Sequence, residues 1–278
     1  MQEGNTYLKI SEKQLCFNRG GWIHLMEFKQ SWISEKRFEP YLHCTWECKE
    51  RAVELYLLDR QLSASMFQDI SYIEVALRNA INRYLSETYG DSWYSQTIGF
   101  DKRVRENISE SWESLPSRFT SANVDRGASL GGRLVAASMF RTWTNMLDKG
   151  GSTGLDAPFD WADHDEIWTS DALKKVFPGA NALAKQQDKN YETYGLKRAW
   201  VYQKVFPVRQ IRNRIAHHES LSPKGVAITG AETRLTPEQC YEQCIDLAQM
   251  LDRDLAEFLA HLSTPQLLQE LASFLDAL

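Results

Sequence analysis

The most informative stretch of the chain runs from Pro207 to Glu219 and reads Pro-Val-Arg-Gln-Ile-Arg-Asn-Arg-Ile-Ala-His-His-Glu. Proline is favoured at the first position of a helix, and the Ser-Leu-Ser-Pro that follows at 220–223 cannot continue one. The stretch therefore predicts one helix of about three turns. Val208, Ile211 and Ile215 recur at helical spacing, so one narrow side of this helix should pack against the protein.

The polar residues of this helix point in other directions. At about 100° per residue, Asn213 and His217 are directed away from the apolar side, while Arg212 lies on its flank. The spacing therefore predicts polar side chains presented outward near the end of the helix.

Composition places the chain among ordinary globular proteins. It has 278 residues, of which 43% are apolar and 25% charged, and its formal net charge is -5. This charge argues against a generally basic nucleic-acid binder, but local patches can differ from the average. Between Thr193 and His218 there are six cations and no Asp or Glu: Lys197, Arg198, Lys204, Arg209, Arg212 and Arg214. Such a patch suits a phosphate-bearing ligand, unless acidic neighbours from elsewhere in the fold neutralise it.

The cysteines indicate neither a zinc site nor disulfides. Four of the five form two Cys-x3-Cys pairs, Cys44/Cys48 and Cys240/Cys244, with no His at a ligand-like distance. One helical turn separates the members of each pair, which favours packing pairs on helices. Reduced thiols, a polar N-terminus and the lack of a membrane-spanning run predict a cytoplasmic protein without membrane contact. No metal and no cofactor are expected.

Hydrophobic periodicity predicts an all-α protein, because almost nothing in the chain alternates with period two. We expect an N-terminal extension at 1–25 and a single domain at 26–278. Two helices are predicted at 45–60 and 63–89, with Ser63 as the cap of the second and Gly90 as its stop. A core helix is predicted at 134–147, and the loops 121–132 and 149–158 are either lids or plain surface.

Glu74 interrupts the apolar pattern of the helix at 63–89. The stripe contains Phe67, Ile70 and Leu77, and Glu74 occupies the place where a further apolar residue is expected. Arg78, one turn further on, can pair with it. Two interpretations stay open: an ion pair that fixes the orientation of the helix, or a polar network beneath a functional site.

Arg212 and His217 fit the loose pattern of Arg and His four to six residues apart that resembles the signature of HEPN-type ribonucleases. The pattern alone has little specificity, because Arg19/His24 and Arg37/His43 also match it. Context separates the third match: an Asn directly after the Arg, a basic surround and a double histidine. Arg19/His24 contains two glycines and Arg37/His43 contains Pro40, so neither is expected inside a regular helix.

The string Arg-Asn-Arg-Ile-Ala-His-His-Glu at 212–219 also resembles the Abi-like family, the AbiD/AbiF type of bacterial abortive-infection proteins. Further segments agree in order and spacing: Phe38-x-Pro-Tyr-Leu, Leu55-Tyr56 with Leu62-Ser63, Ile73-Glu74-Val75-Ala76-Leu77-Arg78-Asn79-Ala80, Gly90-x-x-Trp93, and Trp168 ahead of Phe177-Pro178-Gly179. The resemblance covers about residues 28–222. Phe140-Arg141-Thr142-Trp143 departs from it, since a Gly-Phe-Trp-like segment is expected there.

The resemblance implies an all-α, HEPN-like fold and a metal-independent endoribonuclease that acts as an abortive-infection effector or toxin in phage defence. By position, Arg212, Asn213 and His217 are the expected catalytic residues. Histidine titrates near neutrality and can take the proton of the ribose 2′-OH, and arginine can hold the phosphate. The remaining candidates are supporting residues and RNA contacts, namely Glu74, Arg78 and His218, and Arg209, Arg214 and Lys204.

The expected site is composite. Arg212 and His217 are about 140° apart around the helix, so one copy does not readily surround a phosphate. The family's HEPN sites typically combine two domains, and we therefore expect a homodimer with the site at its interface. An active nuclease needs restraint, and the resemblance suggests a non-coding RNA antitoxin.

Other interpretations of the same residues remain. Arg and His in a last turn favour the helix dipole, so His-His-Glu could be a C-terminal cap. A metal site from His217, His218 and Glu219 is disfavoured, because adjacent histidines on a helix point in different directions. A catalytically silent HEPN module could also bind RNA or a protein through the basic face 193–218.

Overall fold

The computed structural model describes residues 29–96, 98–120 and 128–278. The expected N-terminal extension, Cys16 and the Arg19/His24 pair lie outside these ranges. Within them, the chain is helical apart from loops, two short 3-10 helices and one two-stranded sheet, which confirms the predicted all-α class. The bounds of the helices are α1 (Glu35–Cys44), α2 (Lys49–Tyr89), α3 (Lys102–Glu113), α4 (Ser117–Thr120), α5 (Ala128–Ala137), α6 (Phe140–Met146), α7 (Ser170–Val176), α8 (Ala180–Gln187), α9 (Tyr191–Tyr194), α10 (Arg198–Ala216), α11 (Pro237–Leu251), α12 (Arg253–Ala260) and α13 (Thr264–Asp276).

The central element is α2, a single helix of 41 residues and about 60 Å in length at ~1.5 Å per residue. The prediction of two helices at 45–60 and 63–89 is wrong, because Ser63 is buried inside the helix rather than capping a second one. No Gly or Pro interrupts 49–89, so nothing in the backbone stops the helix. The start moves from Thr45 to Lys49, since Trp46 and Glu47 have φ angles of 52° and 61°. The helix ends, as predicted, before Gly90.

The informative stretch 207–219 belongs to a longer helix than predicted. α10 begins at Arg198, and Pro207 lies in its interior rather than at its first position. Because Pro207 has no backbone N–H, the carbonyl of Gln203, one turn earlier, lacks its helical hydrogen-bond donor. Gln203 is an exposed residue. The helix continues through this position because its buried stripe extends on both sides: Val201, Val205, Val208, Ile211 and Ile215. Tertiary packing therefore overrides the local start signal.

The core surrounds α2, which contacts α1, α6, α7, α10, α11 and α13. Nearly all of the buried apolar side chains of the described chain form one cluster, with Leu134 and Ala162 outside it. α10 packs against α2, α6 and α11, which cover its buried stripe. Outside the stripe its residues are mostly half-buried, with Asn213 and Ala216 exposed near the C-terminal end.

Three local predictions need correction. The core helix predicted at 134–147 is divided into α5 and α6 at Ser138-Met139. In the predicted loop 121–132, residues 128–132 belong to α5, while 121–127 lie outside the described residues. The predicted loop 149–158 contains the strand β1 (Gly150–Ser152), which pairs antiparallel with β2 (Trp161–Asp163). Gly150 is required there: its φ is +85°, and an added Cβ would lie 2.2 Å from the carbonyl oxygen of Ala162.

The two cysteine pairs behave differently. Cys240 and Cys244 are buried on α11, as expected for a packing pair. Cys44 ends α1 and is half-buried, and Cys48 is exposed in the connection before α2. The prediction of a helix-borne packing pair is therefore wrong for Cys44 and Cys48, because α1 ends between them.

Candidate functional site

The candidate site lies at the C-terminal end of α10, where the backbone forms a Schellman cap. The His218 N–H donates to the carbonyl of Ile215 at 2.9 Å, and the Glu219 N–H donates to that of Arg214 at 2.9 Å. His218 holds the left-handed position of this cap, with a φ of 57°. Glycine usually occupies that position, because a side chain there costs conformational energy.

Two arginines from other helices bind the carbonyls that follow α10. Arg60 of α2 donates to the carbonyl oxygens of His218 at 3.1 Å and Glu219 at 3.0 Å. Arg37 of α1 donates to the carbonyl of His217 at 3.4 Å. These carbonyls have no intrahelical partner, and cations are favourable at the negative end of a helix. We call Arg37 and Arg60 the arginine clamp.

A buried carboxylate holds the next residues. Asp59 is fully buried, and its Oδ1 accepts the backbone N–H groups of Leu221 at 3.0 Å and Ser222 at 2.8 Å. Its Oδ2 accepts the hydroxyl of Tyr41 at 2.7 Å and also binds Arg60. Burial and the nearby Asp59 carboxylate raise the pKa of Tyr41, so this phenol stays a donor. Residues 217–222 are thus fixed to α1 and α2 by contacts that are distant in sequence.

The side chains of Asn213 and His217 are exposed, in keeping with the direction predicted from their spacing. Over the ranges that the structure covers, neither the His217 nor the His218 imidazole makes a hydrogen bond or an ion pair. The backbone of these histidines forms the cap, but the cap does not engage their rings. The His217 ring is therefore available to an incoming group.

Arg212 lies on the flank of α10 against α2. Its Nε is 3.8 Å from Oε2 of Glu74, and its guanidinium lies 5.6 Å from the centroid of the Phe67 ring. Burial raises the pKa of Glu74, while Arg212 and Arg78 act against this rise. The ion-pair partner of Glu74 is thus Arg212 rather than Arg78, whose guanidinium reaches the carbonyl of Ala136 at 3.5 Å.

The predicted interruption of the α2 stripe at Glu74 is wrong. Ile73 is fully buried and continues the stripe from Ile70 to Leu77, whereas Phe67 is 38% exposed. Glu74 and Phe67 share a flank of the helix that faces Arg212. Two carboxylates of α2 do occupy buried positions, Asp69 and Asp59, and Asp59 lies in the buried series of Leu55, Leu62 and Met66. The helical spacing of positions 55, 59, 62 and 66 is the feature of the sequence that could have identified Asp59 as buried. The sequence analysis missed Asp59, Tyr41 and the arginine clamp.

The cations of α10 are mostly neutralised from elsewhere in the fold. Arg198 pairs with Asp165 at 2.9 Å, Lys204 with Asp246 at 2.7 Å, and Arg214 with Glu219. With the Arg212–Glu74 pair, four of the five cations of this helix have an acidic partner. Arg209 has no such partner among the described residues. Of the two interpretations of the basic patch, the structure thus favours acidic neighbours from elsewhere in the fold, which neutralise most of the charge that α10 presents.

Residues 29–96, 98–120 and 128–278 contain neither a metal-binding cluster nor a membrane-spanning helix. No group of three or more His, Cys, Asp or Glu side chains there is arranged to hold a metal ion. None of the helices in these ranges has the length and apolar composition that crossing a membrane requires.

Comparison with known proteins identifies the family. The family model of Abi-like proteins matches residues 19–222, which is well over half of the chain. Searches of curated proteins and of solved structures found no match. The matched region includes α1, α2 and α10 and ends at Ser222, the last residue held by Asp59. The chain belongs to the Abi-like protein family.

Proposed function

We propose that this protein is a metal-independent endoribonuclease that acts as an effector or toxin in phage defence. Membership of the Abi-like family associates the chain with abortive infection. The observation that carries the proposal is His217: an exposed imidazole without an intramolecular partner among the described residues, on a backbone fixed by the arginine clamp and Asp59. A fixed backbone with a free imidazole suits proton transfer, because the backbone places the ring while no internal partner occupies its nitrogens.

In the proposed reaction, the ribose 2′-OH attacks the adjacent phosphorus and the 5′-oxygen leaves. His217 takes the proton of the 2′-OH or returns one to the leaving oxygen. Arg212 stabilises the charge that develops on the phosphoryl oxygens, and Asn213 positions the imidazole from one turn earlier. Because Arg212 and His217 face different directions around α10, two chains would complete one site across a homodimer interface.

A second candidate is a catalytically silent HEPN-type module that binds RNA or a partner protein through α10. One observation favours it: Arg212 is already paired with Glu74 and is only partly exposed, so its charge is partly neutralised before any phosphate arrives. In the nuclease proposal, the substrate must compete with Glu74. In the binding-module proposal, Arg212 is a structural contact between α10 and α2.

The test compares His217→Ala with His43→Ala. His43 is also an exposed histidine, on α1, and it pairs with Glu39 and Glu47 rather than standing free. Expression of the wild type and of His43→Ala should arrest growth and fragment cellular RNA, and His217→Ala should do neither while keeping most of its RNA affinity. Cleavage by purified protein should persist in a metal chelator. Equal growth and intact RNA in all three strains would support the silent module.

The quaternary and regulatory parts of the proposal need separate measurements. Light scattering on purified protein should give the mass of a dimer. Co-purified nucleic acid should include a discrete RNA if a non-coding antitoxin restrains the enzyme. A monomer that cleaves RNA would refute the composite site while leaving the nuclease intact.

A further inference from the structure

Arg209 differs from the other cations of α10 because it has no acidic partner among the described residues. Its Nε is buried and has no hydrogen-bond partner in the described part of the chain. Burial lowers the pKa of Arg209, as does the like charge of Arg141, while Tyr202 and Asp148 act in the opposite direction. Both of the neighbouring charges are engaged elsewhere: Asp148 pairs with Arg103 at 2.8 Å, and Arg141 pairs with Glu110 at 2.5 Å.

A pair of aromatic rings lies beside this guanidinium. The Tyr202 and Phe206 rings stack with centroids 5.2 Å apart and planes at 28°. The Arg209 guanidinium lies 5.1 Å from the Phe206 centroid, so the three side chains form a row along α10. We call Tyr202, Phe206 and Arg209 the ring row.

The ring row lies on the same face of α10 as the candidate catalytic residues Asn213 and His217. At about 100° per residue, positions 202, 206, 209, 213 and 217 fall within an arc of about 80° on one face of the helix. Arg209 and His217 are eight residues apart, which is about 12 Å along the axis. This separation corresponds to roughly three to four stacked nucleotides at ~3.4 Å per step.

A partly desolvated guanidinium without an anion is unfavourable, because burial weakens its hydration and the buried Arg209 Nε–H has no acceptor among the described residues. An anion from outside would relieve this cost. Beside aromatic rings, the anion that fits best is a phosphodiester whose bases are unpaired, since bases in a duplex keep their faces stacked on one another. A free phosphate would use the charge but not the rings.

We propose that Arg209 and its ring row form a phosphate-binding subsite for single-stranded RNA, about 12 Å along α10 from His217. The Arg209 guanidinium binds the phosphodiester, and Tyr202 and Phe206 provide the apolar wall against which unpaired bases pack. The inference rests on the proposed action on RNA, and its test is a binding measurement that does not require cleavage.

The test uses full-length protein carrying His217→Ala, so that RNA stays intact. The probe is a fluorescent single-stranded RNA of about ten nucleotides, compared with the same sequence as a duplex. Arg209→Met should weaken single-strand binding by about tenfold or more, because one charge-assisted contact is lost. The slope of log affinity against log salt should fall by about 0.7, the value for one phosphate on a single strand.

The control is Arg253→Met, which removes an exposed cation from α12 and changes the net charge equally. It should change the affinity by about twofold or less. Phe206→Leu is the second variant, and it should weaken binding by about fivefold or more through lost stacking. Inorganic phosphate is added as a competitor to distinguish a phosphodiester site from a site for free anions. At an RNA subsite, phosphate should displace the RNA probe only at high concentration.

Protein stability gives an independent readout. Because Arg209 has no internal anion, Arg209→Met should leave the unfolding temperature unchanged or raise it. A marked drop would reveal a structural partner and overturn the inference, as would single-strand binding equal to that of Arg253→Met. Equal affinity for duplex and single strand would also overturn it. If the wild type fails to cut RNA while these binding results hold, the nuclease proposal fails and the subsite stands.

Discussion

Replacing Asp59 should detach the segment after α10 from the rest of the protein. The carboxylate is fully buried and binds the Leu221 and Ser222 N–H groups, the Tyr41 hydroxyl and Arg60. Three hydrogen bonds to a charged group at ~1.5–3 kcal/mol each would exceed 4 kcal/mol, but removing the charge also ends its own desolvation cost. Breaking a buried ion pair on one side typically costs about 3–5 kcal/mol, and we expect Asp59→Ala to fall in that range.

Asp59→Asn separates the hydrogen bonds from the charge. The amide oxygen can still accept from Leu221 and Ser222, but the amide N–H₂ would face the donors of Tyr41 and Arg60. We expect Asp59→Asn to lower the free energy of unfolding by about 2 kcal/mol, which is less than the effect of Asp59→Ala. Asp171→Asn is the control, because that carboxylate is 89% exposed and pairs with Lys174 at 3.5 Å on the surface. Asp171→Asn should change the free energy of unfolding by no more than about 0.5 kcal/mol.

The assay is urea unfolding followed by tryptophan fluorescence, which yields the free energy of unfolding and its denaturant slope. Amide hydrogen exchange provides the local readout: in Asp59→Ala, the Leu221 and Ser222 amides should exchange faster than amides in the centre of α2. If the free energy of unfolding of Asp59→Ala lies within about 1 kcal/mol of the wild-type value, the reasoning is refuted. Unchanged protection of the two amides would do so as well.

Three further substitutions test single features. His218→Gly should raise the free energy of unfolding by about 0.5–1 kcal/mol in the same urea assay, because the left-handed cap position suits glycine. Burial raises the pKa of Asp69 to about 6, so the folded state binds this proton more tightly than the unfolded chain does, and stability falls as pH rises from about 4 to 6. Asp69→Asn should therefore raise stability above pH 6 by up to about 3 kcal/mol, with little effect at pH 4, in thermal unfolding across pH. Gly179→Ala would place a Cβ 2.1 Å from the Gln249 carbonyl oxygen. It should lower the free energy of unfolding by about 3 kcal/mol in the urea assay, whereas Gly132→Ala, inside α5 with open space around it, should raise it by about 0.5–1 kcal/mol.

The fold class and the buried side of α10 could be predicted from the sequence, because hydrophobic periodicity follows directly from helix geometry. Val208, Ile211 and Ile215 are buried as their spacing indicates. The ends of the helices could not be predicted in the same way. Pro207 and Ser63 are favourable start signals, but both lie inside helices that packing extends on either side.

The environment of the site could be predicted only in part. The outward direction of Asn213 and His217 followed from the spacing alone. The partners of the charged residues did not, because they come from distant segments: Glu74 pairs with Arg212, and Asp246 with Lys204. Counting charges within the window 193–218 therefore indicated a basic face that the folded protein largely neutralises. Only contacts across the fold reveal that Arg209 is left without an acidic partner among the described residues.

The Arg-and-His pattern shows why environment rather than spacing distinguishes the candidate site. Arg37 and His43 also match the pattern, and both lie within α1 despite Pro40, so the expectation that they fall outside a regular helix is wrong. His43 is flanked by Glu39 and Glu47 at 3.6 and 2.9 Å, which occupy its ring nitrogens. Arg37 binds the carbonyl of His217 and so supports the other match. A proton-transfer group needs a fixed backbone and a free ring, and among the described matches His217 combines the two. The same reasoning requires that His43→Ala stay active where His217→Ala does not.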